Sequence, residues 1–189
     1  MAETCSSLSL RWSDRASTER FGKWSVPEIR KSADISACGR YRYRLTRHWD
    51  PDVRPLAFVL LNPSTADASV DDATVRRCMG FARRESFGSI LVVNLYAFRT
   101  TDPRHLKHCP DPDGPENLRY LGEVAEVSRL TGSPVVCGWG TWGGERGPVV
   151  AARLLREGAH LVCLGLTRSG HPKHPLYVRA DQPFIPYCA

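Results

Sequence analysis

Four short apolar runs in this chain each end in side chains that can hold or activate a ligand. Leu56–Leu61 runs into Asn62-Pro63-Ser64-Thr65-Ala66-Asp67, where Pro63 forces extended backbone at Asn62 and a turn follows at once. The Asn62 amide can accept a hydrogen bond from water and hold it, but it cannot take the proton as a carboxylate would. An Asx-type turn with a helix cap would use the same residues. Ile90–Tyr96 carries Asn94, an amide that is costly to bury unless its donors and acceptor are used, and that can pair with a donor and an acceptor on a base edge. Pro134–Gly138 leads into Trp139-Gly140-Thr141-Trp142-Gly143-Gly144, where glycines let backbone approach a ligand and the indoles offer stacking surfaces. Leu161–Leu166 leaves through Thr167-Arg168-Ser169-Gly170-His171-Pro172-Lys173-His174-Pro175, a rigid turn carrying two imidazoles and a lysine. Each His is followed by Pro, so the helical spacing that seats a metal is unavailable and no metal is expected.

The elements that must position these residues are legible as periods. The four apolar runs read as central strands of a sheet covered on both faces. Between them lie three helical stripes: Val75, Cys78, Met79 and Ala82, capped by Asp71 or Asp72; Leu118, Leu121 and Ala125, opened by Pro115; and Val150, Leu154 and Leu155. Strand and helix in alternation predict an α/β fold with a mainly parallel sheet, whose ligand crevice lies outside the carboxyl ends of the strands. Arg40–Arg47 alternates with period two and reads as a half-buried edge strand with its arginines on an open face. Residues 1–39, with scattered Trp12, Phe21 and Trp24, show no sustained period and are read as an N-terminal extension. Residues 40–189 then form one domain.

Composition narrows the function. With 189 residues, 42% hydrophobic and 24% charged, the chain is sized for one soluble domain. No stretch approaches the length of a membrane span, and no apolar signal core opens the sequence. The net charge of +6 favours an anionic partner such as nucleic acid. From Arg76 to Lys107 seven Lys and Arg face two acidic residues, Glu85 and Asp102, a basic stripe expected to border the crevice. The seven cysteines form no Cys-x-x-Cys pair, so reduced structural thiols in the cytoplasm are expected.

The stretch from about Arg40 to Pro186 resembles a bacterial and phage family of unknown function, number 1643, through LNPSTADASVDDATVRRC, VVNLYAFRTTDP, GPEN and GLTRSGHPKHPLY. That likeness covers most of the chain and implies no activity. More distantly, the order of motifs is similar to the uracil-DNA glycosylase superfamily. It implies a three-layer α/β/α fold with a central, mainly parallel sheet of four to five strands. In that likeness Asn62-Pro63 stands at the water-activating motif, with Asp72 assisting and Asp67 and Asp71 as competitors for that role. Asn94 matches the base-recognising Asn, and Trp139-Gly140 a later Trp-Gly strand end. His174-Pro175-Leu176 matches the loop whose His stabilises the leaving base, with His171 as the competing histidine. The resemblance thus implies Asn62, Asp72 and His174 as catalytic residues, and Ser64, Asn94, Phe98 and Trp139 as base-binding ones. Arg77, Arg99, Trp142, His171 and Lys173 are the expected DNA contacts.

The sequence departs from the superfamily in two places: the first motif has no carboxylate, and Ser64 stands where the uracil-specific branch has an aromatic residue. The small side chain opens the pocket to a 5-substituted pyrimidine. The expected function is therefore a monofunctional DNA glycosylase that flips a modified pyrimidine, such as a phage-hypermodified one, and leaves an abasic site as an antiviral defence. It would act on single- or double-stranded DNA as a cytoplasmic monomer, without cofactor or membrane. Competing readings are a hydrolase or transferase of free modified nucleosides or nucleotides, and a non-catalytic nucleic-acid-binding domain. A dinucleotide-binding protein ranks last, since no G-x-G-x-x-G follows the first strand.

Overall fold

The computed structural model describes residues 28–188. It is a mixed α/β structure around one seven-stranded sheet. The strands are β1 (Arg30–Ile35), β2 (Arg42–His48), β3 (Pro55–Leu60), β4 (Ser89–Asn94), β5 (Val135–Cys137), β6 (Leu161–Cys163) and β7 (Ile185–Pro186), and they lie side by side in the order β1-β2-β4-β3-β5-β6-β7. The four runs of apolar sequence form the parallel centre, β4-β3-β5-β6, while β1, β2 and β7 pair antiparallel at the margins. Parallel strands buried on both faces need continuous apolar sequence, which explains why only these four are written as unbroken runs.

Side chains alternate across the sheet and build two cores. Leu56, Phe58 and Leu60 of β3 point to one face with Val75, Cys78, Met79, Phe81 and Ala82 of α1 (Ala73–Arg84). Ala57 and Val59 point to the other, where α2 (Asn117–Thr131) and α3 (Arg146–Arg156) pack through Leu121, Val124, Val150 and Leu154. Asp72 caps α1 by accepting the Val75 N–H at 2.8 Å. Two members of the expected helical stripes, Leu118 and Leu155, turn outward instead; in α2 the buried positions are Asn117, Tyr120, Leu121, Val124, Ala125 and Ser128.

Three expectations are corrected. The sheet has seven strands and not four or five, because short or polar strands at its margins give no apolar run to read. The Arg40–Arg47 segment is no edge: β2 is flanked by β4 and by β1, which lies within the stretch expected as an extension. Two arginines expected on an open face are buried, Arg42 at 3% exposure and Arg47 at 0%, because the loop between β3 and α1 lies over them. Trp12, Phe21 and Trp24 fall outside the described residues. Among the described residues no helix is long and apolar enough to cross a membrane, and the six cysteines present form no disulfide.

Arg47 shows how a buried guanidinium is made tolerable. Its Nε donates to Asp71 at 2.6 Å, its Nη1 to the carbonyls of Ser32 and Thr46, and its Nη2 to those of Asp67 and Val70. Lys31 holds the other oxygen of Asp71 at 2.9 Å. The network pins the loop between β3 and α1 against β2, and so fixes where α1 begins.

Candidate active site

A cavity of about 630 Å³ opens at the carboxyl ends of β3, β4 and β5, over the first turn of α1. Leu60, Val75, Cys78 and Val92 give it an apolar floor, and the segments leaving the strands bring polar groups over that floor. This is where a parallel α/β sheet leaves room for a ligand, because each strand hands over to a loop on the same side.

Asn94 closes β4 inside this cavity. It is 1% exposed, and neither its amide oxygen nor its amide nitrogen has a hydrogen-bond partner among the described residues. A buried amide left unmatched on both sides costs about 1–3 kcal/mol per group, a cost that a ligand or an ordered water in the cavity would remove. The strand end is rigidly held: the side chain of Asn117, at the head of α2, donates to the Asn94 carbonyl at 3.2 Å and the Leu95 carbonyl at 2.9 Å. Arg146 donates to the same Leu95 carbonyl at 2.8 Å and pairs with Asp113.

Asn62 lines the cavity from the end of β3. Its amide nitrogen donates to the carbonyls of Pro63 (2.9 Å) and Thr100 (2.7 Å), which leaves its oxygen as the atom that can accept. Asp67, Asp71 and Asp72 separate cleanly. Asp67 staples its own turn, accepting from the Ser69 and Val70 N–H groups, and these bonds hold it down to about 2. Asp71 belongs to Arg47 and Lys31. Asp72 alone of the three lines the cavity, one oxygen capping α1.

His174 lines the cavity from the loop that follows β6. It begins a single 3-10 turn, Pro175–Tyr177, and its Nδ1 accepts the Leu176 N–H at 3.3 Å, so the neutral ring carries its proton on Nε2. Burial pulls its pKa down to about 4, opposed by the Asp72 carboxylate, so the imidazole is neutral near pH 7. Its loop is tied down twice. The Gly140 N–H donates to the Pro172 carbonyl at 2.8 Å, from a residue at φ +68° that favours glycine. Arg77 of α1 donates to the carbonyls of Pro175 and Val178. Arg77 thus braces the histidine loop with Nε and Nη2 and does not line the cavity.

The remaining expected residues divide. Ser64, Trp139, Trp142 and Lys173 also line the cavity. Trp139 is almost wholly buried, edge-on to Tyr187, and packs so tightly that a Cβ at Gly143 or Gly147 would strike it. Trp142 is 44% exposed at the mouth, with the Lys107 ammonium 5.1 Å above its ring. Phe98 and Arg99 line a shallower groove of about 620 Å³, shared with Arg40, that meets the cavity at Ser64, Thr100 and Thr101. His171 lines neither. Nor does the basic stripe act as one surface, since Arg83 and Arg84 at the far end of α1 stack over Trp49, Phe81 and Phe184.

The sequence reading missed Arg42. Asp34 pairs with Arg44 and Ile35 with Arg42, which leaves Tyr43 as an extra residue, a bulge in β2. Tyr43 and Arg44 both turn toward α2, where the tyrosine stacks on Tyr120 and the guanidinium lies over the same ring. Arg42 turns the other way and lines the cavity. Its Nη1 donates to the Ala66 carbonyl at 2.7 Å, while its buried Nε has no partner. Burial pulls its pKa to about 10, offset by Asp72, so it stays charged at neutral pH. Period two alone hides this residue, because the bulge breaks the alternation that the pattern assumes.

Among the described residues, no three His, Cys, Asp or Glu side chains are placed to hold a metal ion. The profile of a family described as a protein of unknown function, DUF1643, matches residues 42–176. That span covers β2 through the histidine loop and contains every cavity residue named above except Tyr177 at its border. No curated protein matches the chain.

Proposed function

The chain belongs to the DUF1643 family, and from that premise we propose that it is a monofunctional DNA glycosylase that hydrolyses the N-glycosidic bond of a flipped, 5-substituted pyrimidine. The observation that carries the reading is Asn94: a buried amide with donor and acceptor both unmatched, at a strand end, in a cavity of base-accepting size. Such a group matches a base edge presenting one acceptor and one donor. Helices on both faces of a parallel-centred sheet support the likeness to the three-layer uracil-DNA glycosylase arrangement.

In this mechanism the target nucleotide leaves the stack and Asn94 pairs with its exposed edge. The bond from the sugar carbon to the ring nitrogen breaks, and its electron pair leaves with the base. Neutral His174 donates from Nε2 to the base as negative charge grows on it, at a position where the donor needs no reorganisation. The oxygen of Asn62 and the carboxylate of Asp72 orient a water toward the cationic sugar carbon. Asp72 or solvent takes the proton that the water releases. Ser64 leaves space beside the ring for a substituent. DNA is the proposed partner, with Lys173, Trp142 and the Arg40–Arg99 groove contacting the strand, and reduced thiols suit a cytoplasmic monomer. Removal of hypermodified bases from incoming phage DNA is the role such an enzyme would serve.

The volume of the cavity favours one rival, since about 630 Å³ exceeds what a pyrimidine ring alone requires and would admit a whole nucleoside. End-labelled DNAs carrying uracil, a thymine mismatch, 5-hydroxymethyl and glycosylated 5-hydroxymethyl pyrimidines separate the readings. Alkaline cleavage at one modified base, lost in Asn62→Ala and His174→Ala, supports the glycosylase. Salt-insensitive hydrolysis of free nucleosides with no abasic sites in DNA supports the rival.

A further inference from the structure

Arg42 carries a permanent charge into the cavity without an ion-pair partner among the described residues. The groups that act on it electrostatically are Asp72 and Asp67, which favour its charge, and Arg99 and Arg47, which oppose it. Only Nη1 is spent on the protein, at the Ala66 carbonyl. The edge of a guanidinium formed by Nε and Nη2 presents two parallel N–H groups, the geometry that grips a pair of acceptors. Here Nε is buried and unmatched. A charged group removed from water in this way is costly, and the bulge that turns Tyr43 and Arg44 together toward α2 leaves Arg42 on the cavity side.

The ligand that satisfies this edge must also tolerate Asp72, which lines the same cavity. A fixed anion would meet the carboxylate on entry. A group that enters neutral and gains negative charge during the reaction avoids that repulsion, yet draws on the guanidinium when its charge appears. A departing nucleobase behaves in this way.

We propose that Arg42 is a catalytic residue of this site: its Nε–Nη2 edge donates to the ring acceptors of the departing pyrimidine and holds the negative charge the base acquires. The inference rests on the glycosylase reading and deepens it. The electron pair of the broken C–N bond settles on the ring nitrogen and spreads to the adjacent carbonyl oxygen, which is where the guanidinium donates. Water adds its oxygen to the sugar carbon, and the base takes a proton from solvent after release. His174, held neutral, adds one hydrogen bond, whereas Arg42 adds charge. Binding that strengthens only as the bond breaks is the kind that accelerates the step.

The test uses 5-nitrouracil, a free base whose ring ionises within the working pH range and whose absorbance changes when it does. On the full chain, the bound base is expected to ionise at least one pH unit lower than the free base, a tenfold preference for the anion. Arg42→Gln, checked for folding by its melting curve, still binds the neutral base but loses the shift, and Arg42→Lys retains part of it. Ionisation of the bound base unchanged in the wild-type protein overturns the assignment without any variant. So does a full shift retained in Arg42→Gln. Failure of any pyrimidine base to bind the cavity overturns this inference and the glycosylase reading together, whereas binding without a shift overturns the role of Arg42 alone.

Discussion

Arg47 and Arg42 lie at opposite ends of one strand, both out of water, and they are treated in opposite ways. Arg47 is saturated: a carboxylate and four carbonyls take its hydrogens, and it holds the loop that leads into α1. Arg42 gives one hydrogen to a carbonyl and keeps a buried Nε unmatched at the wall of a cavity. The same contrast recurs among the asparagines. Asn117 spends its amide nitrogen on two strand-end carbonyls, while Asn94 beside it spends none of its side chain on the protein. In each pair the residue whose donors are spent on the protein braces the frame, and the residue that keeps most of its donors unspent lines the cavity. Unmatched buried atoms also occur away from the cavity, at Ser133 and Glu157, so the position at the strand ends is what distinguishes Asn94 and Arg42.

If the contrast holds, the largest stability effect belongs to Arg47. Arg47→Met leaves Asp71 to Lys31 alone, removes the donor from four backbone carbonyls, and costs about 3–5 kcal/mol in denaturant unfolding. Arg42→Met removes an unpaired charge and leaves stability unchanged or raised, with base release slowed by roughly 100-fold or more. Equal destabilisation by the two substitutions would break the comparison. His174 gives the next effect. Its pKa of about 4 in the folded protein lies below the value near 6.5 of the unfolded chain, so the unfolded state binds more protons between those limits. Stability therefore falls as pH drops from 6.5 toward 4, by about 3 kcal/mol in all, and levels off below. Urea titrations of His174→Asn should show this part of the pH slope removed. Asn94→Leu is expected to raise stability by about 1–2 kcal/mol, because an apolar side chain of similar size replaces an unmatched amide. A drop of similar size would mean that the amide is used within the folded chain. The smallest effect is at the groove: Arg99→Ala should lower the slope of log affinity for DNA against log salt by about 0.9 and leave the rate of base release intact.

The site was more legible than the frame. Asn62, Asn94 and His174 stand where apolar runs stop, and the topology of a parallel sheet brings such stops to one end, so their meeting around one cavity follows from order alone. The capping role of Asp72 was readable for a similar local reason, a carboxylate just ahead of a helical stripe. What escaped the sequence depends on neighbours that a pattern does not name. Nothing in Arg30–Ile35 announces that it pairs with β2, and without the loop between β3 and α1 over them the arginines of β2 read as exposed. The bulge at Tyr43 then reverses the alternation, so the arginine that reaches the cavity could not be told from those that do not. Phe98 and Arg99 follow Asn94 closely in sequence, yet the chain bends to pair Phe98 with Tyr41 and carries both into the neighbouring groove. Sequence spacing placed the ends of strands but not the direction in which the next residues turn.

The most direct test of the central claim is release of the free base from DNA by wild-type protein and by Asn94→Leu, measured by chromatography under single-turnover conditions on duplexes bearing 5-substituted pyrimidines. Release of one modified base with an abasic strand left behind, abolished in a variant at least as stable as wild type, is the predicted result. Equal release by both proteins, or no release from any modified DNA, would contradict the account.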